Sequence, residues 1–275
     1  MAIVKTQPVG TTGANLSLLD IRLLGNYDHW QITSSSIRLH DADNKNYTVF
    51  GGTGLSFKTN GNTIEDVLGG TVTKLDIGLN GVNHVAFTGL NLSAKTFFDY
   101  FMAGDTKGAW DYLLSDNDTI TGTKYADFLF GGAGNDLVNG GVGNDGIEGN
   151  AGNDKLYGGA GADKLVGGAG ADTFEFKLIS ESTVGAAGRD TVVDFNQGEK
   201  DKVGLSAIDA NTKLAGDQAF TFIGADAFHN KAGELRYVKS GGDTYVHGDV
   251  NGDGKADFSI LFDANITFKA GDFLL

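Results

Sequence analysis

The sequence predicts a mainly β chain in three parts: an N-terminal α+β domain, a central roll of stacked short strands, and a C-terminal β-rich capping domain. Three observations carry this. Residues 1–112 alternate apolar and polar side chains between Asn, Asp and Gly turns, residues 113–175 repeat glycine, aspartate and an apolar residue at a period of nine, and residues 176–275 return to short alternating runs.

In the first part, "SSIRLH", "YTVFGGTGLSF", "TVTKLDIGL" and "VNHVAFTGL" read as strands, and the Asn-Gly pair in "LNGVN" suits a tight hairpin. "SAKTFFDYFMAGDTKGAWDYLLS" then predicts one or two helices, with Ser93 as N-cap and Phe97, Phe98, Phe101 and Met102 on one face.

In the second part, the first position of the repeat is Gly122, Gly131, Gly140, Gly149, Gly158 and Gly167, and the sixth is Asp127, Asp136, Asp145, Asp154, Asp163 and Asp172. The eighth is always apolar: Leu129, Val138, Ile147, Leu156, Leu165 and Phe174. A half-formed unit with Asp118 and Ile120 precedes them in register. The first six residues of each unit read as a turn, because glycine permits positive φ and close backbone approach, and the last three as a short strand with its apolar side chain inward. If two turns and two strands make one coil, aspartates 18 residues apart, such as Asp136 and Asp154, stack at about 4.8 Å in two columns. Neighbouring carboxylates then repel by on the order of 1 kcal/mol in water, and by more where water is excluded. A hard cation taking six to eight oxygens at about 2.3–2.6 Å fits between them, which points to Ca²⁺.

This nonapeptide resembles the repeat of the RTX (repeat-in-toxin) calcium-binding secreted proteins over six units of nine. The resemblance implies a parallel β-roll in which second- and fourth-position carbonyls join the carboxylates around each ion. Those positions are Gly132, Gly134, Gly141, Gly143, Asn150, Gly152, Gly159, Gly161, Gly168 and Gly170, whereas Thr123 and Tyr125 replace glycine in the first unit and weaken a site there. Asp118 to Asp172 offer five pairs, so about four ions are expected.

The third part, with "RDTVVDFNQGEKDKVGLSAID" and "DTYVHGDVNGDGKADFSILF", is similar to the C-terminal domain of serralysin-type metalloproteases, and "DFLL" resembles their extreme C-terminus. The resemblance implies bacterial type I export on an uncleaved signal, with the secretion apparatus as partner and an extracellular or cell-surface location. The start, with one early lysine and no long apolar run, carries no ordinary signal peptide, and no run approaches the roughly 20 residues of a membrane helix. Phe174 and Phe176 would leave an apolar end on the roll, so residues 176–275 are expected to cap it.

A formal charge of −14 excludes nucleic acid and anionic membrane as partners and favours cations. None of His29, His40, His84, His229 and His247 belongs to a His-Glu-x-x-His motif, and neither Gly-x-Ser-x-Gly nor any cysteine is present, so the chain is expected not to be an enzyme. Residues 1–112 are read as a binding or surface-association module, with an extracellular glycan or cell surface as candidate partner. Two alternatives stand beside this: a polysaccharide-active enzyme with its site in residues 1–112, and a Ca²⁺-dependent matrix or adhesion component. Asp249, Asn251, Asp253, Gly254 and Asp257 copy half of an EF-hand loop, but Ile260 stands where its bidentate Glu belongs, so a hairpin turn is expected. Asp41, Asp43 and Asn46 are read as Asx turns, and Trp30 and Trp110 as core residues rather than a sugar platform.

Overall fold

A computed structural model describes residues 3–6, 29–32, 35–40, 47–60, 63–79, 82–103 and 105–275. The stretch Asp41 to Asn46 and the Asn80-Gly81 turn lie outside the described residues, as does the side chain of Trp30.

Alternation in the first part becomes an antiparallel meander of β2 (His29–Ile32), β3 (Ser36–His40), β4 (Tyr47–Asn60), β5 (Thr63–Leu79) and β6 (Val82–Ser93). Two helices follow, α1 (Ala94–Ala103) and α2 (Thr106–Leu113). Ser93 Oγ accepts the Thr96 amide at 3.3 Å and so caps α1. Phe97 and Phe98 lie buried with ring centroids 5.7 and 4.9 Å from Phe50, which fixes α1 on the meander. Asp105 caps α2 by accepting the Gly108 amide at 2.9 Å.

Strand β1 (Ile3–Thr6) joins meander to roll, pairing antiparallel with β6 and parallel with β7 (Thr119–Thr121). The nonapeptides then fold as two parallel sheets back to back. One carries β8 (Phe128–Ala133), β10 (Gly146–Ala151) and β12 (Lys164–Ala169), and the other carries β7, β9 (Leu137–Val142), β11 (Lys155–Ala160) and β13 (Thr173–Glu175). Every register step is 18 residues: Leu129 beside Ile147 beside Leu165, and Val138 beside Leu156 beside Phe174. The eighth-position residues are fully buried between the sheets. Each fully buried aliphatic side chain of this kind stabilises by about 1.5–3 kcal/mol.

The strands are longer than the three residues expected. They run six, from the seventh position of one unit through the third of the next, so only the fourth to sixth positions turn. The first-position glycine is therefore strand.

The ladders do not end where the nonapeptides end. β14 (Thr191–Val192) adds to β12 and β15 (Lys202–Gly204) to β13, with Val192 and Val203 buried in line with Leu165 and Phe174. β16 (Thr221–Phe222) pairs parallel with β17 (Glu234–Ser240); β17, β18 (Asp243–Asp249) and β19 (Phe258–Phe262) form an antiparallel sheet whose β19 pairs with β14, and β20 (Phe273–Leu274) pairs with β15. "DFLL" is thus built into the fold: the Phe273 ring lies 5.0 Å from Phe222 and 5.3 Å from Phe268.

Candidate metal centre

All seven aspartates singled out in the sequence, Asp118, Asp127, Asp136, Asp145, Asp154, Asp163 and Asp172, are buried at the turns of the roll. The coil places them in two columns by a specific bond. The amide of each donates to Oδ1 of the aspartate one coil on: Asp118 to Asp136, Asp136 to Asp154 and Asp154 to Asp172 in one column, Asp127 to Asp145 and Asp145 to Asp163 in the other, at 2.7–2.9 Å. One oxygen of each carboxylate is thereby fixed by backbone. The second oxygen, Oδ2, of Asp136, Asp145, Asp154, Asp163 and Asp172 is buried without a hydrogen-bond partner.

That oxygen lies against the glycine that opens its own unit. A Cβ on Gly149 would sit 2.3 Å from Asp154 Oδ2, and one on Gly167 2.3 Å from Asp172 Oδ2. This close approach, more than backbone freedom, explains the first-position column. The fourth-position glycines face the coil beneath: Gly152, at φ +138°, leaves room for the Gly134 carbonyl, which a Cβ would approach to 1.6 Å. Asn150 holds φ +73°, a region asparagine tolerates, and so replaces glycine in its turn. In the first unit, Thr123 donates to Asp127 through both its amide and its hydroxyl, so this carboxylate is engaged within its own turn.

Stacked buried carboxylates of like charge resist ionisation. Burial raises Asp136, Asp154, Asp163 and Asp172 to about 6 and Asp145 to about 7, against the opposing amide bonds, with a stacked aspartate adding to Asp136, Asp145, Asp154 and Asp172 and Glu181 adding to Asp163. In metal-free buffer the closed roll therefore holds protons that the open chain releases. Its stability is greatest at acid pH and is lost as pH rises through about 6–7. We expect the thermal midpoint of the metal-free protein to rise as pH falls from about 7.5 to 5, the sign opposite to ordinary acid denaturation. A midpoint that falls steadily over this range would show the columns are not so strained.

Three residues that the sequence reading did not single out continue the site. Asp190 Oδ1 accepts the Asp163 amide and Asp201 Oδ1 the Asp172 amide, both at 2.9 Å, so each column runs on past the last nonapeptide aspartate. Asp190 is fully buried and is raised to about 8, by burial first and then by Asp163, Glu181 and Asp145. Asp194 takes the Gly167 and Gly168 amides on its two oxygens, each at 2.8 Å. A signal existed: Asp190-Thr-Val192 and Asp201-Lys-Val203 repeat the Asp-x-apolar spacing of the nonapeptide. Fifth-position asparagines form an outer staple, with Asn117, Asn135 and Asn153 each accepting an amide from the coil above at 2.7 Å.

The half EF-hand is occupied by itself. Asp249 accepts the Gly252 and Gly254 amides, and Asp257 accepts those of Val250 and Asn251 together with the Asn251 side chain, in the turn between β18 and β19.

Among the described residues, no three His, Cys, Asp or Glu side chains gather at one point, so the columns offer two carboxylates per step with carbonyls around them. An all-oxygen donor set with orphaned buried carboxylate oxygens fits a hard cation of high coordination number. The class defined by fold and site is a calcium-binding β-roll protein of RTX type. Residues 114–275 match the family model described as Peptidase M10 serralysin C terminal, and the chain belongs to that family. No curated protein matches the chain. The solved structures similar to it include two subunits of the Azotobacter vinelandii mannuronan C5-epimerase. AlgE6R2 is 28% identical with TM-score 0.42, covering 57% of this chain and 91% of that one. AlgE6R3 is 24% identical with TM-score 0.29, covering 58% and 79%. The expectation that the chain is not an enzyme is corrected by the family match, whose description is that of the C-terminal part of a peptidase.

Proposed function

We propose that the protein is a secreted calcium-binding RTX protein whose roll closes on Ca²⁺ after type I export. In this reading residues 1–112 form a binding or surface-association module, 113–175 the roll, and 176–275 its cap and export unit. The observation that carries it is the row of buried, unpartnered Oδ2 atoms from Asp136 to Asp172, which a cation would satisfy. Asp118, Asp127, Asp136, Asp145, Asp154, Asp163 and Asp172 would supply carboxylates, with carbonyls from the second and fourth positions. Asp163 with Asp190 and Asp172 with Asp201 add two pairs to the five within the repeats. An intracellular Ca²⁺ level far below Kd would leave the columns repelling and the chain open for export, and extracellular Ca²⁺ would close them.

Calorimetry on the full chain should show about four ions or more with Kd of about 10⁻⁴–10⁻³ M, and one ion or none would end the reading. The export half is tested separately. Because Phe273 is buried and β20 pairs with β15, deleting "DFLL" removes structure as well as signal. Leu274→Ser, at a half-exposed side chain, should instead reduce delivery to the medium through a type I transporter while calcium binding is kept. Normal delivery of this variant would refute the assigned signal.

A further inference from the structure

Helix α2 and the outer face of the β8–β10 sheet enclose a cleft of about 450 Å³, within the range of small-molecule sites. Its walls are aromatic. Phe128 and Phe130 both point outward from β8, and the Trp110 indole from α2 meets Phe130 edge to face at 6.0 Å and 80°. In the strand register Phe128 lies beside Gly146 and Phe130 beside Glu148. The Phe128 ring covers Gly146, where a Cβ would come within 2.8 Å of it, so the floor is flat where other units carry Leu137, Lys155 or Lys164.

The polar groups are few and placed at the rim. Glu148 has no hydrogen bond or ion pair to any described residue, and Asn150 is exposed one step further along β10. Lys107 is paired with Asp111 on the same helix, so the one basic residue of the lining carries its own counter-charge. The core of the roll, with Leu129 and Ile147, lies on the other face of this sheet.

We propose that this cleft binds an uncharged oligosaccharide. Pyranose rings present apolar C–H faces that stack on indole and phenyl rings, and hydroxyls that donate to a carboxylate in charge-assisted bonds. The ligand is uncharged because the chain bears −14 and the cleft's unpaired ionisable group is the Glu148 carboxylate, which would repel uronates and phosphates. A quaternary ammonium cage is disfavoured: the edge of one ring in the Trp110–Phe130 pair occupies the face of the other, and Phe128 lies down on Gly146, so three open faces do not surround one point.

The test is calorimetry on the full calcium-loaded chain with cellohexaose, laminarihexaose, maltohexaose and mannohexaose, against a galacturonate hexamer and phosphocholine. At least one neutral sugar should bind, with the galacturonate at least about tenfold weaker. Glu148→Gln and Phe128→Ser should each weaken the sugar about tenfold while calcium stoichiometry stays unchanged, with Glu148→Gln also keeping the thermal midpoint, which separates this cleft from the calcium reading. Binding by none of the neutral sugars, preference for phosphocholine or galacturonate, or sugar binding indifferent to both substitutions would each overturn the proposal.

Discussion

Chelating Ca²⁺ from the full chain opens the roll: amides from β7 to β15 lose exchange protection, and the antiparallel pairs of β5 and β6 keep theirs. The magnitude follows from linkage. At roughly ten times Kd each site stabilises by about 1.4 kcal/mol, so four sites supply about 6 kcal/mol, as much as the whole net stability of many domains. Without the ion, the carboxylates from Asp136 to Asp190 must either stay protonated or repel at one-coil spacing. Hydrogen exchange read at Leu156 and Leu165, central in the two sheets, checks this. Protection there that survives chelator at neutral pH would mean that apolar packing alone holds the coils.

Gly152→Ala has the largest effect expected of a single methyl group. Its Cβ would stand 1.6 Å from the Gly134 carbonyl oxygen at φ +138°, so strain and collision add, and the coil spacing cannot widen without breaking the Asp136 to Asp154 bond alongside. We expect a loss on the order of 3–5 kcal/mol and weaker calcium binding in the coils on either side. Gly224→Ala is the control, since Gly224 has φ +68° with nothing within 4 Å of its Cβ, and should cost only about 1 kcal/mol. Denaturant midpoints measured in excess Ca²⁺ compare the two, and equal shifts would mean that the close approach is relieved at no cost.

The roll was legible because its chemistry is strict. A buried carboxylate, a glycine against it and an apolar residue two places on admit few substitutes, so Asp127 through Asp172 keep one period. Asp190 and Asp201 escaped the frame because the chain detours before each: their bonded partners Asp163 and Asp172 lie 27 and 29 residues back instead of 18. Turn length was overestimated for a related reason. Glycine in the first position was read as flexibility, whereas Gly149 is extended strand cleared for Asp154 Oδ2. In the meander, alternation disclosed the strands but not their bulges, since the register shifts between Gly51 and Gly52 and between Thr53 and Ser56 depend on the partner strand. The aromatic cleft was invisible for the opposite cause: outward positions of a repeat are unconstrained by it, so Phe128 and Phe130 carry no periodic mark. Trp110, expected in the core, packs against it but also walls that cleft.

A stack of identical coils has no intrinsic reason to stop at one molecule. The lower rim of one sheet is taken by β1 on β7. In the other sheet, β8 is the terminal strand, and α2 lies across it with the Leu114 carbonyl accepting the Ala133 amide at 2.8 Å. Stripped of residues 94–113, the rim of β8 would offer unpaired backbone groups that the bared β8 of a second copy could pair with, since β14 and β15 already cover the far ends of both ladders. The two helices thus keep an open sheet edge out of reach of a second copy, a protection made by some twenty residues outside the repeat.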